Sequence, residues 1–145
     1  MATVRDLLRE KITQVWYVTP TSSVRDALKL MAEQKIGAVL VVEAGKIVGI
    51  FSERDFARKA LLDAINLDTP VGELMVTGVY YVTPDQSVDA CMALMTARRI
   101  RHLPVLDANN HMLGVISIGD VVKQLILEKD STIQSLEDYI WVHMI

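Results

Sequence analysis

Two short runs in this 145-residue chain set a hydroxyl and a carboxylate at a spacing that chemistry can use. Ser52-Glu53-Arg54-Asp55 and Ser117-Ile118-Gly119-Asp120 each follow an apolar, β-branched segment and open a helix-forming one. At a strand-to-helix junction the first backbone N–H groups lack partners and the positive end of the helix dipole faces outward, so an anion is received readily there. An Asp in that first turn can accept hydrogen bonds from both hydroxyls of a ribose-like diol, and the Ser hydroxyl can reach sugar or phosphate. The same spacing is also a capping box, which satisfies the helix's own N–H groups with no ligand involved. Both readings stay open on the motif alone.

The residues that accompany the two runs are not alike. Gly37-Ala38 in the first half leaves room for a flat ring against a strand backbone, whereas Arg101-His102 stands at the matching place in the second half. Arg grips phosphate through a planar fork, so this basic pair is a candidate phosphate contact. Arg54 is matched by Gly119, and Arg54, Arg58 and Lys59 are further sources of positive charge. Arg98, Arg99 and Lys59 are read first as solvated helix ends, where the dipole favours cations anyway. Thr19 and Thr83, each just before a proline that holds the chain extended, offer a hydroxyl or backbone groups to a ligand, or simply lead into a helix.

Other chemistries lack support. The chain has no G-x-G-x-x-G, no G-x-x-x-x-G-K-[ST] and no H-E-x-x-H, so dinucleotide-fold, P-loop and zinc-protease mechanisms are not indicated. His102, His111 and His143 are scattered over different segments, and His111 beside Asn109-Asn110 reads as a turn residue. No histidine is evidently placed as a base for a nucleophilic serine. The single cysteine, Cys91, falls in the apolar series Val88, Cys91, Met92, Met95 and is expected to be a buried, unreactive thiol.

The elements that position these residues come from an internal repeat. Residues 18–42, VTPTSSVRDALKLMAEQKIGAVLVV, match residues 82–106, VTPDQSVDACMALMTARRIRHLPVL, at a constant shift of 64. The shift becomes 65 after a polar turn, where Glu43-Ala44-Gly45-Lys46 corresponds to the longer Asp107-Ala108-Asn109-Asn110-His111. A length change confined to a turn is what duplication of a folded unit permits. Ser23 and Ser87 are expected N-caps of helices whose buried faces carry Val24, Ala27, Leu28, Met31 and Val88, Cys91, Met92, Met95. The strands Ala38–Val42 and Lys46–Phe51 follow, with Ala44-Gly45 between them, and then a helix over Glu53–Leu62 or Gly119–Leu127.

Each repeat therefore reads strand, helix, strand, strand, helix. The expected fold class is mixed α/β, with two such repeats packed sheet to sheet about a pseudo-two-fold axis, because almost wholly apolar strands need cover on both faces. The boundaries drawn are 1–65 for the first repeat with its N-terminal segment, 66–128 for the second with the connecting segment, and 129–145 for a C-terminal tail. A helical turn is expected at Val71–Met75. The tail begins with a capping-box spacing, Ser131 to Gln134, and carries Ile133, Leu136 and Ile140 on one face, so an amphipathic helix is expected there.

Composition narrows the function. Hydrophobic residues make up 51% of the chain and the formal charge is −3, with an isoelectric point near 5.6. That suits one compact domain or two small halves, leaves no room for a further catalytic domain, and supplies no overall basic field for nucleic acid or anionic membrane. The longest apolar stretch, Ile36–Val42, is far short of the ~20 residues of a membrane span. The N-terminal residues lack a secretory pattern, so a soluble, cytoplasmic protein is expected.

The order V-T-P, helix, IGAVLVV or IRHLPVL, then GIFSERD or GVISIGD closely resembles the CBS domain, present here as the usual tandem pair (a Bateman module) over almost the whole chain. The family pattern of glycine, apolar residues, Ser or Thr, two variable residues and Asp at the second-strand-to-helix junction is met in both copies. The resemblance implies a stand-alone regulatory, energy-sensing or signal-transduction module and not an enzyme. It implies adenosine compounds (AMP, ADP, ATP, NAD or S-adenosylmethionine) as ligands between the repeats, no required cofactor, and a homodimer. The ligand-binding residues it implies are Thr19, Gly37, Ala38, Ser52, Arg54, Asp55, Thr83, Arg101, His102, Ser117 and Asp120. The alternative is a structural or oligomerisation module with vestigial nucleotide sites.

Overall fold

The computed structural model describes residues 2–11 and 14–128. Along the chain these form α1 (Val4–Arg9), β1 (Tyr17–Val18), α2 (Val24–Gln34), β2 (Ala38–Glu43), β3 (Lys46–Ser52), α3 (Glu53–Leu62), a 3-10 turn (Val71–Glu73), α4 (Val88–Arg98), β4 (His102–Leu106), β5 (Met112–Ser117) and α5 (Ile118–Glu128). The elements are those expected from the repeat, except that α1 is added and the second repeat has no strand before its first helix. The expected C-terminal helix from Ser131 lies outside the described residues.

The chain divides into two units. In Trp16–Tyr80, β1 pairs in parallel with β2, and β2 pairs antiparallel with β3. Its core is Val24, Ala27, Met31, Val39, Val41, Phe51, Val71 and Leu74. The second unit pairs β4 with β5 antiparallel. There a single bridge from Val82 to Val105 replaces the short β1 strand. Val4, Leu7, Val88, Cys91, Met95, Leu103, Val105, Ile116 and Val121 are among its core residues. Cys91 is buried there, and loss of solvent pushes its thiol up, as an inert core cysteine requires.

Local chemistry accounts for the helix ends. Ser23 Oγ accepts from Asp26 N–H and Ser87 Oγ from Ala90 N–H, both at 3.0 Å. At the far ends Lys35 and Arg99 take the left-handed conformation, with φ of 55° and 53°. Ile36 N–H then returns to Met31 O at 3.0 Å and Ile100 N–H to Met95 O at 3.1 Å, closing both helices before the next strand. The first hairpin turns on Ala44 and Gly45, both at positive φ, the turn whose twist suits paired strands. The longer turn is organised by Asp107, whose Oδ1 accepts from the N–H groups of Asn109 and His111 at 2.8 and 2.9 Å. His111 is a turn residue in this arrangement.

The flanking segments do not follow the repeats in sequence order. The residues preceding Trp16 group with the second repeat, and those after Leu62 up to Tyr80 group with the first, so packing divides the chain differently from a cut at residue 65. The reason is a second, shorter repeat at a shift of 67: Val4-Arg5-Asp6-Leu7-Leu8 against Val71-Gly72-Glu73-Leu74-Met75. Val4 N–H bonds Gln86 O at 2.9 Å and Arg5 N–H bonds Pro84 O at 3.0 Å, while Val71 N–H bonds Ser22 O at 2.8 Å and Gly72 N–H bonds Pro20 O at 2.9 Å. Each segment thus straps the turn ahead of a repeat's first helix. It also explains the pattern glycine of each second strand. A Cβ on Gly49 would stand 2.6 Å from Met75 Sδ, and one on Gly114 would stand 3.0 Å from Leu8 Cδ2.

Among the described residues no helix is long and apolar enough to cross a membrane.

Candidate functional site

In each repeat the chain leaves its first helix, enters a strand, turns back and starts a second helix beside the point where it entered. This brings two sequence-distant pairs together. Ala38 faces Ser52 across β2 and β3, and Glu53 N–H donates to Gly37 O at 3.1 Å. His102 faces Ser117 across β4 and β5, and Ile118 N–H donates to Arg101 O at 2.8 Å. Gly37, Ala38, Ser52, Arg54 and Asp55 therefore share one junction. Arg101, His102, Ser117 and Asp120 share the other, with Gly119 where the first has Arg54.

At the first junction Ser52 is the N-cap of α3. Its Oγ accepts from Asp55 N–H at 3.1 Å and donates to Asp55 Oδ2 at 2.8 Å. No ion pair reaches Asp55 among the described residues, and Arg54 is exposed. At the second junction Asp120 N–H donates to Ser117 Oγ at 3.2 Å, and Ser117 N–H donates to Asp120 Oδ2 at 2.8 Å. The capping bonds are thus made at both junctions, and each leaves a carboxylate at the surface of the helix start.

The second carboxylate has an extra partner that sequence reasoning missed. Lys11 Nζ lies 2.8 Å from Asp120 Oδ2 and donates to Val115 O at 2.7 Å. Burial alone pushes the Asp120 carboxyl up. The Lys11 ammonium and the Ser117 bonds outweigh it and hold the group below its ordinary value. A small pocket of about 80 Å³ adjoins the pair, lined by Leu7, Glu10, Lys11, Asp120, Lys123 and Gln124. No periodicity marks Lys11, since its partner is 109 positions away. Its one mark in the sequence is its place just past the end of the first of the two segments related by the shift of 67.

The threonines stand in the turns that lead into the first helices. Thr19 Oγ1 lies 3.0 Å from Ser22 Oγ, and Thr19 N–H donates to that same oxygen at 3.1 Å. Thr83 N–H donates to Gln86 Oε1 at 2.9 Å. Lys59, read from sequence as solvated, donates instead to Leu74 O at 2.7 Å and ties its helix to the strap. Among the described residues no group of His, Cys, Asp and Glu could hold a metal ion.

The CBS domain profile matches twice, at residues 4–62 and 71–127. The chain belongs to the CBS-domain family. The two matches cover both repeats together with the strap segments that the V-T-P repeat alone did not include. A solved structure of a putative signal-transduction protein with CBS domains from Burkholderia ambifaria is 48% identical, covers 91% of this chain and 99% of its own, and superposes with a TM-score of 0.84. The mitochondrial CBS domain-containing protein CBSX3 of Arabidopsis thaliana is 36% identical over 95% of this chain and 71% of its own length. CBSX2, solved in complex with AMP, is 26% identical with a TM-score of 0.71, over 89% of this chain and all of its own. This CBS pair is therefore similar to stand-alone CBS proteins, and adenine-nucleotide binding is known among its relatives.

Proposed function

We propose that this CBS pair is a regulatory, ligand-sensing module that binds an adenine nucleotide of the AMP, ADP, ATP or NAD type, and that it performs no chemistry on it. The observation that carries the reading is the twofold occurrence of one arrangement: a Ser-x-x-Asp helix start hydrogen-bonded to the carbonyl of the residue that ends the loop before the first long strand. The helix start supplies a favourable field for an anion and a carboxylate for the ribose diol. Asp55 and Asp120 are assigned to ribose, Ser52 and Ser117 to ribose or phosphate, and Gly37-Ala38 to the face of the base. Arg101 and His102 are assigned to phosphate, with Arg54 adding charge, and Thr19 and Thr83 to the base edge. The AMP complex of CBSX2 supports this ligand class.

For such a module to act as a switch, the nucleotide must favour one arrangement of the protein over another, and a partner must respond to the difference. A cytoplasmic homodimer is the working assembly. Mass spectrometry of nucleotides carried through purification, followed by calorimetry with AMP, ADP, ATP, NAD and adenosine, tests the reading. One specific observation favours a structural module instead: each Ser–Asp pair is hydrogen-bonded within its own helix start, Ser52 to Asp55 and Ser117 to Asp120. Absence of binding to the whole panel at millimolar concentration would decide for that alternative.

A further inference from the structure

Lys11 makes the two junctions inequivalent, and this rests on the nucleotide reading above. We infer that Lys11 is a built-in occupant of the second repeat's diol site: its ammonium takes the place beside Asp120 that ribose hydroxyls would take, so the Asp55 junction binds adenosine compounds first.

The pair is not an incidental surface contact. The Asp120 and Lys11 side chains are 30% and 35% exposed. Lys11 Nζ donates both to the carboxylate and to Val115 O. In the first unit, the strand position matching Val115 is Ile50, and the Ile50 and Val76 backbones bond each other reciprocally at 3.0 and 2.9 Å. An isolated main-chain bridge there does what the lysine head group does in the second unit. At the shift of 67 that relates the two straps, the residue matching Lys11 is Gly78, which has no side chain to extend toward Asp55. Among the described residues no cation pairs with the first repeat's carboxylate, which accepts from Ser52 Oγ, whereas the second repeat neutralises its own with a residue from its strap. A sugar hydroxyl is a neutral donor and competes poorly with an ammonium for a carboxylate oxygen.

The test is a site-resolved titration with adenosine, which lacks phosphate and so does not confuse loss of Lys11 charge with loss of phosphate attraction. Amide signals of Ser52 and Gly119 report the two junctions separately. In the parent, Ser52 responds at lower adenosine concentration than Gly119. Lys11→Gln keeps an N–H donor for Val115 O but drops the charge, and the Gly119 response should tighten about five-fold while the Ser52 response stays as it was. Lys11→Arg keeps the charge and should match the parent. Urea unfolding of each variant confirms that it is folded.

An unchanged or weakened Gly119 response in folded Lys11→Gln, with Ser52 still responding, overturns the occupant role and leaves the nucleotide reading intact. If neither amide responds in the parent or in either variant, the nucleotide reading falls and the inference with it.

Discussion

The Lys11–Asp120 pair can be weighed independently of any ligand by a double-mutant cycle on stability. The perturbation is Asp120→Asn and Lys11→Gln, singly and together, since Asn can still accept from Ser117 N–H and Gln can still donate to Val115 O. The contact is 2.8 Å, and both partners are about one-third exposed. Exposed bridges are worth about 0.2–1 kcal/mol, and the partial burial and second anchor put this one near the top, so the expected coupling is about 1 kcal/mol.

The assay is the urea midpoint of the four proteins at pH 7 and again on acidification. The Asp120 carboxyl is held below its unfolded value of about 3.8. Its contribution is therefore fully present above that value and is lost as pH falls through the still lower folded value. The parent should lose on acidification a stabilisation that Asp120→Asn lacks throughout. Glu10 also lines the adjoining pocket, so Glu10→Gln in the same background is the control for the other acidic side chain there. High salt should shrink the coupling, because the pair remains within reach of solvent ions. If the single effects simply add at pH 7, within about 0.3 kcal/mol, Lys11 does not hold Asp120 and the asymmetry argued from it collapses.

Asp55→Ala should weaken AMP binding by about 1.5–3 kcal/mol, the range for hydrogen bonds to a charged group, in calorimetry on folded protein; unaltered affinity would remove Asp55 from the site. Arg101→Ala with His102→Ala should weaken AMP and ATP binding far more than adenosine binding, and added salt should imitate the change. Equal losses for adenosine and AMP would make these residues part of the pocket shape instead of phosphate readers. Gly49→Ala should lower stability by about 1–3 kcal/mol because its Cβ would collide with Met75, whereas Gly114→Ala, opposite the flexible end of Leu8, should cost less. Thermal unfolding that ranks them the other way would show that the straps do not press on the strand glycines. Sedimentation at about tens of micromolar, a range that reveals weak interfaces, should give a homodimer, and a monomer there would rule it out.

Much of the fold was legible because it is written twice. Comparing Ser23 with Ser87 or Ala38 with His102 averages out side-chain accident and leaves the caps, strand limits and turn, and each of those is set by local chemistry. The straps escaped the same comparison because they are only about five residues long and follow a different shift from the V-T-P repeat. A short Val-x-acid-Leu run has no periodicity to distinguish it from chance. Their exchange between repeats was beyond reach for a further reason: which helix start a short segment straps depends on packing of Val4, Leu7, Val71 and Leu74, not on sequence order. The Ser-x-x-Asp motif is plain in the sequence, but nothing in the sequence tells that, among the described residues, an ammonium stands beside Asp120 and none beside Asp55.

That contrast locates where the duplicated halves have diverged. Main-chain bonds are retained nearly bond for bond: Val4 to Gln86 matches Val71 to Ser22, and Ile118 to Arg101 matches Glu53 to Gly37. A bond between backbone groups survives any substitution that preserves the path of the chain. The differences therefore gather in side chains that the path does not require. Arg101-His102 replaces Gly37-Ala38, Gly119 replaces Arg54, and Lys11 stands opposite Gly78. Among the described residues the first junction has a carboxylate with no cation on it and the small pair Gly37-Ala38, while the second carries the basic pair and a neutralised carboxylate. Under the proposed nucleotide reading these two frames of one architecture take different tasks, the first holding base and sugar and the second holding negative charge. Exchanging Gly37-Ala38 with Arg101-His102 should exchange those preferences only if Lys11 is removed as well, because otherwise the second junction gains the small pair but its carboxylate stays neutralised.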